Sequence, residues 1–246
     1  SKMAQKTPDI TFYAVSSPNA IKVSIVLEEL EIPYKVRELA FDKKEQKEPW
    51  FLKINPNGKM PAITDHSRGD FNVFESGAII IYLCDHYDPE EKLLPKKDLD
   101  LRSQVFQWIM FQMGGFGPTL SQTFYFKRYA SEEVPFAINR FTEELKRHFT
   151  VLNSALEGKD YLVGNTYTLA DAINYTNARV HALCGIPNID HLPNLKAWID
   201  RIDARPATQR AINVPRPDRV KEFIENPEKL EEYVKNLRKT VFKLEN

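Results

Sequence analysis

The sequence predicts two unlike halves, a small mixed α/β layer followed by an all-α domain. Three observations carry this. Strand-like and helix-like segments alternate up to residue 87, no convincing strand pattern occurs between 99 and 214, and a charged stretch with two prolines, DPEEKLLPKKD (88–98), lies between them.

Each element has a local reason. ITFYAV (10–15) is a short β-like run. In AIKVSIVLEELEI (20–32), Ile21, Ile25, Leu27, Leu30 and Ile32 recur at roughly helical spacing, and Pro33 ends the pattern. YKVREL then alternates as a strand does, and PWFLKI (49–54) reads as a short helix. MPAIT (60–64) and FNVF (71–74), joined by the turn-rich DHSRGD, form a hairpin. GAIIIYLCDHY (77–87) is a strongly apolar helix, which completes the order β-α-β-α-β-β-α. The second half carries helical patterns over 99–130, 135–158, 169–184 and 192–204. TLAD (168–171) has the S/T-x-x-D form of a capping box, with Asp in place of Glu, and reads as a folding signal. NVPRPD (213–218) breaks the chain, and Leu230, Tyr233, Val234, Leu237, Val241 and Leu244 then recur at helical spacing, as expected of a tail helix packed on its own body. The expected division is 8–88, 98–214 and a helical extension over 215–246.

Composition narrows the function. The chain of 246 residues is 42% hydrophobic, which excludes wholesale disorder. Lys+Arg and Asp+Glu both total 34, so the basic excess of a nucleic-acid surface is missing. Cys84 and Cys184 are far apart, without CxxC or His/Cys metal spacing. No metal is expected, and a reducing compartment fits. No apolar run has transmembrane length, and SKMAQKTPD lacks the apolar core of a signal peptide. The expectation is a cytoplasmic protein that engages neither membrane nor nucleic acid.

Candidate chemistry sits where the first strand meets the first helix, in YAVSSPNAIKV (13–23). A helix start offers unpaired N–H groups and a partial positive charge. Ser17 suits the N-cap and Pro18 the first turn, so capping alone accounts for the motif unless partners occur elsewhere. Two do. Pro61 opens a strand, where it has no N–H to give; a cis Met60–Pro61 bond would leave the Met60 backbone free to pair with an extended ligand. Glu75 and Ser76 stand directly before the GAIIIYL helix and suit an amino-acid head group, carboxylate to the N–H groups and hydroxyl, ammonium to Glu75.

SSPN, NPNGKMPAI, FESGAIIIYL and YTLADA together resemble the cytosolic glutathione transferases, over about residues 10–212. SPN in place of a catalytic Tyr or Cys motif, FQMGGFGP (111–118) and PFAINRF (135–141) are similar to the fungal nitrogen-regulator-like members and the bacterial Nu class. The resemblance implies a thioredoxin-like N-terminal domain, an all-helical C-terminal transferase domain and a homodimer. It also implies glutathione as co-substrate: γ-glutamyl end at Glu75 and Ser76, cysteinyl backbone on Met60 beside a cis Pro61, glycyl end near Gln46 and Lys59, with Arg140 reaching the site. The thiol would lie at SSPN, its anion stabilised by Asn19, Ser17 or Ser16; Tyr13 reads as a packed sheet aromatic. A few of Trp108, Phe111, Met113, Phe116, Phe124, Tyr125 and Phe126 would line an apolar pocket for an electrophile, the rest being core. Conjugation and glutathione-dependent disulfide reduction are both expected activities. The alternatives are a non-catalytic regulatory binding module and a binder of apolar ligands.

Overall fold

The computed structural model describes residues 7–242; Leu244 of the tail pattern and the first six residues of the N-terminal reading lie outside them. The chain forms two compact units, one running to Leu94 and including Pro206–Pro217, the other made of Pro95–Arg205 and the chain from Asp218.

The first unit is built on β1 (Ile10–Ala14), α1 (Pro18–Glu29), β2 (Tyr34–Glu38), α2 (Pro49–Leu52), β3 (Ala62–Asp65), β4 (Phe71–Phe74) and α3 (Ser76–Tyr87). The sheet order is β2-β1-β3-β4, with β1 parallel to β2 and the other pairs antiparallel. This is the expected βαβ unit joined to a hairpin. Phe12, Ala14, Val23, Val26, Leu27, Ile63, Ile79 and Leu83 are fully buried in its core.

α1 is buried over most of its surface, including Lys22 and Ser24, because α3 and a returning segment both pack against it. That segment contains α9 (Pro206–Ala211). Ser24 Oγ donates to the Ala211 carbonyl at 3.0 Å, and Arg210 Nε pairs with Glu28 at 2.9 Å. The sequence reading gives 206–214 to the helical half; in the fold it packs with the first unit instead. PATQRA is too short to show a periodicity, and the surface that buries it is far away in the chain.

The second unit contains α4 (Leu99–Phe111), α5 (Gly117–Phe124), α6 (Pro135–Ala155), α7 (Leu169–Ala178), α8 (Pro193–Asp203), α10 (Val220–Glu225) and α11 (Pro227–Leu237). The predicted helix over 99–130 is interrupted by π turns at Gln112–Phe116 and Tyr125–Tyr129. At Gly117 a Cβ would come within 2.7 Å of Gln112 Nε2, so a side chain there would collide with the first π turn. Of the aromatic segment, Phe116 is fully buried against Phe149 and His148, whereas Phe126 stacks on Phe141 at 5.7 Å between centroids.

The TLAD box forms as expected. Thr168 Oγ1 accepts from Ala170 N–H, and Asp171 Oδ2 accepts from Thr168 N–H at 3.0 Å. Asp171 Oδ1 also takes N–H groups from Leu162 and Trp198, which the motif does not reveal.

Leu230 and Val234 of α11 are buried, and Arg128 pairs with Glu231 at 3.1 Å, so the tail packs on its own unit. Arg179, only 9% exposed, takes a two-pronged hold on Asp218 at 3.2 and 2.7 Å. Asp218→Ala is expected to cost about 2 kcal/mol, the scale of a charge-assisted bond to a nearly buried guanidinium. A lowered urea midpoint at unchanged slope would show it.

Candidate functional site

Strand register gathers the predicted residues of the first unit. Tyr13 lies opposite Ala62, and Ala62 opposite Phe74. One step beyond that row, the chain continues from β1 toward Ser16 and Ser17, backward from β3 to Pro61 and Met60, and from β4 into Glu75 and Ser76. All three motifs therefore leave the sheet at one end.

At the first motif Ser17 is the N-cap of α1, in extended backbone with φ −162° and ψ 156°. Its Oγ accepts from Ala20 N–H at 3.2 Å, which leaves the hydroxyl hydrogen to donate elsewhere. Ser16 and Asn19 are exposed. Among the described residues neither side chain has a hydrogen-bond partner. Tyr13 is 8% exposed, its hydroxyl accepts from Thr64 Oγ1, and its ring meets Trp50 and Phe51 edge-on or tilted. It is a packed aromatic, as expected.

At the second motif the Met60–Pro61 bond is cis. Among the described residues the Met60 backbone N–H and C=O pair with nothing. A feature missed in the sequence holds this loop. Asn55 is 2% exposed, donates through Nδ2 to the Lys59 carbonyl at 2.6 Å and accepts from Asn57 N–H at 2.9 Å. The signal was present as an Asx turn in NPNG. Gly58 has φ +61°, and a Cβ there would come within 3.1 Å of the Gln46 carbonyl. Gln46 is thereby set beside the loop; among the described residues its buried Oε1 has no hydrogen-bond partner, while the Lys59 side chain is exposed.

At the third motif Glu75 has φ +69° and ψ 117°, a left-handed backbone uncommon for a residue with a Cβ. Such strain concentrates at functional positions. Its side chain is exposed and does not cap α3, and the first bond into that helix is from Ile79 N–H to the Glu75 carbonyl at 2.9 Å. The N–H groups of Gly77 and Ala78 thus face the end of the sheet. Ser76 is buried, and Lys22 Nζ donates to its Oγ at 3.2 Å. Burial pushes the Lys22 amine down to about 7, and Glu75 pulls it partly back up. Lys22 was not among the sequence candidates, since a lysine in an amphipathic helix reads as solvent-facing.

Arg140 is not brought to this cluster within one unit; it is an exposed residue of α6 in the second. His181 Nδ1 bonds the Ile186 carbonyl at 2.5 Å, and burial pushes the Cys184 thiol up to about 12, so both serve packing. Cys84 is buried in α3. Among the described residues no group of three His, Cys, Asp or Glu side chains is placed to hold a metal ion.

A β2-β1-β3-β4 sheet with one parallel pair, a cis proline at the head of β3 and a following helical unit defines a thioredoxin-like domain joined to an all-α domain. The family models for the N-terminal and C-terminal domains of glutathione S-transferase match residues 8–85 and 124–206. The chain is 36% identical over 213 residues to the disulfide-bond oxidoreductase YfcG of Escherichia coli (strain K12), covering 82% of this chain and 94% of that one. A glutathione transferase homologue from Lodderomyces elongisporus, with two glutathione molecules per subunit, matches with TM-score 0.80 and 34% identity over 84% of this chain and 99% of that one. Yeast Ure2p in complex with glutathione matches with TM-score 0.79 and 32% identity over 85% and 100%. The chain belongs to the glutathione S-transferase family and fits its Ure2-like subgroup.

Proposed function

We propose that the protein is a glutathione-dependent enzyme that stabilises the glutathione thiolate for attack on electrophilic carbon or on a disulfide. The observation that carries this is the convergence at one sheet end of three unlike features. These are a helix start with the unengaged Asn19 amide, the unpaired Met60 backbone, and the strained Glu75 before Ser76. Glutathione supplies the thiol. Glu75 takes its ammonium, Ser76 and the head of α3 its γ-glutamyl carboxylate, and Met60 its cysteinyl backbone. Gln46 and Lys59 hold the glycyl end. Arg140 is proposed as an accessory contact on the resemblance alone.

A free thiol has a pKa of about 8.5, so little is thiolate at neutral pH. An Asn19 N–H donated to the sulfur anion contributes roughly 1.5–3 kcal/mol, or about one to two pKa units. The head of α1 adds roughly 0.3–1 kcal/mol. Together they make thiolate the major form near pH 7.

The turn contains no cysteine. In disulfide reduction, one thiolate attacks a substrate sulfur to form a mixed disulfide and release a thiolate. A second glutathione thiolate then attacks the glutathionyl sulfur of that mixed disulfide, which releases the other half as a thiolate and forms oxidised glutathione. Two glutathione thiols are oxidised as one disulfide is reduced. The name of the E. coli relative and the paired glutathione molecules in the L. elongisporus structure support this branch. We take the working assembly as a cytoplasmic homodimer of Nu-class type, with 8–88 binding glutathione, the helical domain running from 98 up to the returning Pro206–Pro217 segment, and the chain beyond that segment as its extension.

The test is the thiol pKa of bound glutathione, followed by thiolate absorbance, with disulfide-reduction and conjugation assays alongside. A bound pKa below about 7.5 with turnover supports the enzyme. Binding with an unshifted pKa and no turnover turns the reading to the regulatory binding module. Glu75→Gln is expected to weaken glutathione about tenfold, one charge-assisted bond to the ammonium, measurable by calorimetry.

A further inference from the structure

Lys22 is an ionisable group inside the first unit that takes no part in stabilising the thiolate. It is 1% exposed, on α1, with Nζ 3.2 Å from Ser76 Oγ. Ser76 is itself 4% exposed and begins α3. A buried ammonium is costly, and a lysine in a core is normally replaced by an apolar residue unless something nearby uses the charge.

The geometry says what could use it. A serine hydroxyl has one hydrogen and two lone pairs. While Lys22 is an ammonium it can only donate, so Ser76 Oγ accepts and its own O–H turns toward a different acceptor. A neutral amine can accept instead and draw that O–H toward itself. The charge on Lys22 therefore sets whether Ser76 gives or receives a hydrogen bond.

We propose, building on the glutathione reading, that Lys22 is a positioning residue: its ammonium holds Ser76 as a donor to the ligand's γ-glutamyl carboxylate, and a proton is taken up at Nζ as that carboxylate binds. The carboxylate, Ser76 and Lys22 then form a line of alternating acceptor and donor ending in a buried cation. Glu75 is the charged neighbour that acts on the ammonium, and the ligand's own ammonium occupies Glu75 on binding. The other charged or titratable groups on α1 and on the helices packed against it are Glu28 and Glu29 of α1, Tyr82, Cys84, Asp85, His86 and Tyr87 of α3, and Arg210 of α9. Arg210 is paired with Glu28, and Glu29 with Lys92.

With the free amine near 7, the ammonium is already in place at pH 6 and has to be formed on binding at pH 8. Affinity for the carboxylate therefore falls as pH rises through this window. The probe is S-methylglutathione, which keeps both carboxylates and the ammonium but has no thiol to titrate. Calorimetry at pH 6 and at pH 8, in two buffers of different ionisation heat, reads the protons taken up.

The expected result is uptake near zero at pH 6 and about half a proton or more at pH 8, with affinity falling about three- to tenfold between them. Lys22→Met should abolish the uptake and flatten the profile. Lys22→Gln, which retains a donor toward Ser76, should be equally flat while recovering part of the affinity. Tight binding by the native protein without uptake overturns the proposal whether or not the variants fold, and so does uptake unchanged in Lys22→Met. Failure of S-methylglutathione to bind the native protein at either pH overturns the glutathione reading itself, and this proposal with it.

Discussion

Asp171→Ala is expected to lower stability by roughly 3–5 kcal/mol, among the largest single-site effects in this chain. The carboxylate is completely buried and accepts from Leu162 N–H, Thr168 N–H and Trp198 Nε1–H. Alanine orphans three buried donors at about 1–3 kcal/mol each, and release of a desolvated carboxylate offsets part of that. The damage extends beyond α7, because the same side chain links the 162 loop and α8 to the helix start. Urea denaturation gives the number.

A pH series separates charge from hydrogen bonding. Burial pushes Asp171 from its ordinary 3.8 up to about 6, against the pull of the three donors. A carboxyl raised on folding favours the folded state most fully below 3.8, and that contribution is lost as pH rises through about 6. Asp171→Asn should remove this slope while retaining one acceptor, at a cost below that of alanine. A slope unchanged in Asp171→Asn would assign it to other groups.

Asn19→Ala should raise the pKa of bound glutathione by about one to two units. At pH 7 turnover should fall about 5- to 20-fold and recover as pH is raised past the new pKa, since the attacking species is restored by titration. Affinity should change little, because the amide acts on the sulfur rather than on the termini. Ser17→Ala should behave differently. Ser17 Oγ caps α1 through Ala20 N–H, so its loss costs about 1 kcal/mol of stability, with a smaller effect on the thiol. A pKa shift in Ser16→Ala with none in Asn19→Ala would move the donor role to the serine.

Much of the architecture was legible because local signals agreed. The β-α-β opening, the hairpin and the apolar α3 carry their own periodicities, and TLAD announces the start of α7. α9 was not legible, since six residues carry no period and their burial depends on α1. The π turns were hidden for a related reason. A one-residue widening of the helix leaves the apolar spacing of 99–130 nearly intact, and only the glycines of QMGGFG hint at close packing. At the site, residue types pointed to a helix start, a proline-led strand and an acidic N-cap. The left-handed backbone of Glu75 and the inward course of Lys22 were not visible, because both are set by what packs around them. Arg140 marks the opposite limit, as motif resemblance names a residue without fixing its place.

The return of Pro206–Pro217 to the first unit has a consequence for the order in which the protein is made. α1 has one flank covered by α3, which follows it closely in the chain, and another by α9, which arrives more than a hundred residues later. The bond between Ser24 and Ala211 spans 187 positions. On the ribosome, the domain synthesised first is therefore among the last to close. Until Ala211 has left the exit tunnel, α1 keeps an apolar flank facing outward, and a nascent chain stalled within the helical half carries a ready site for a chaperone.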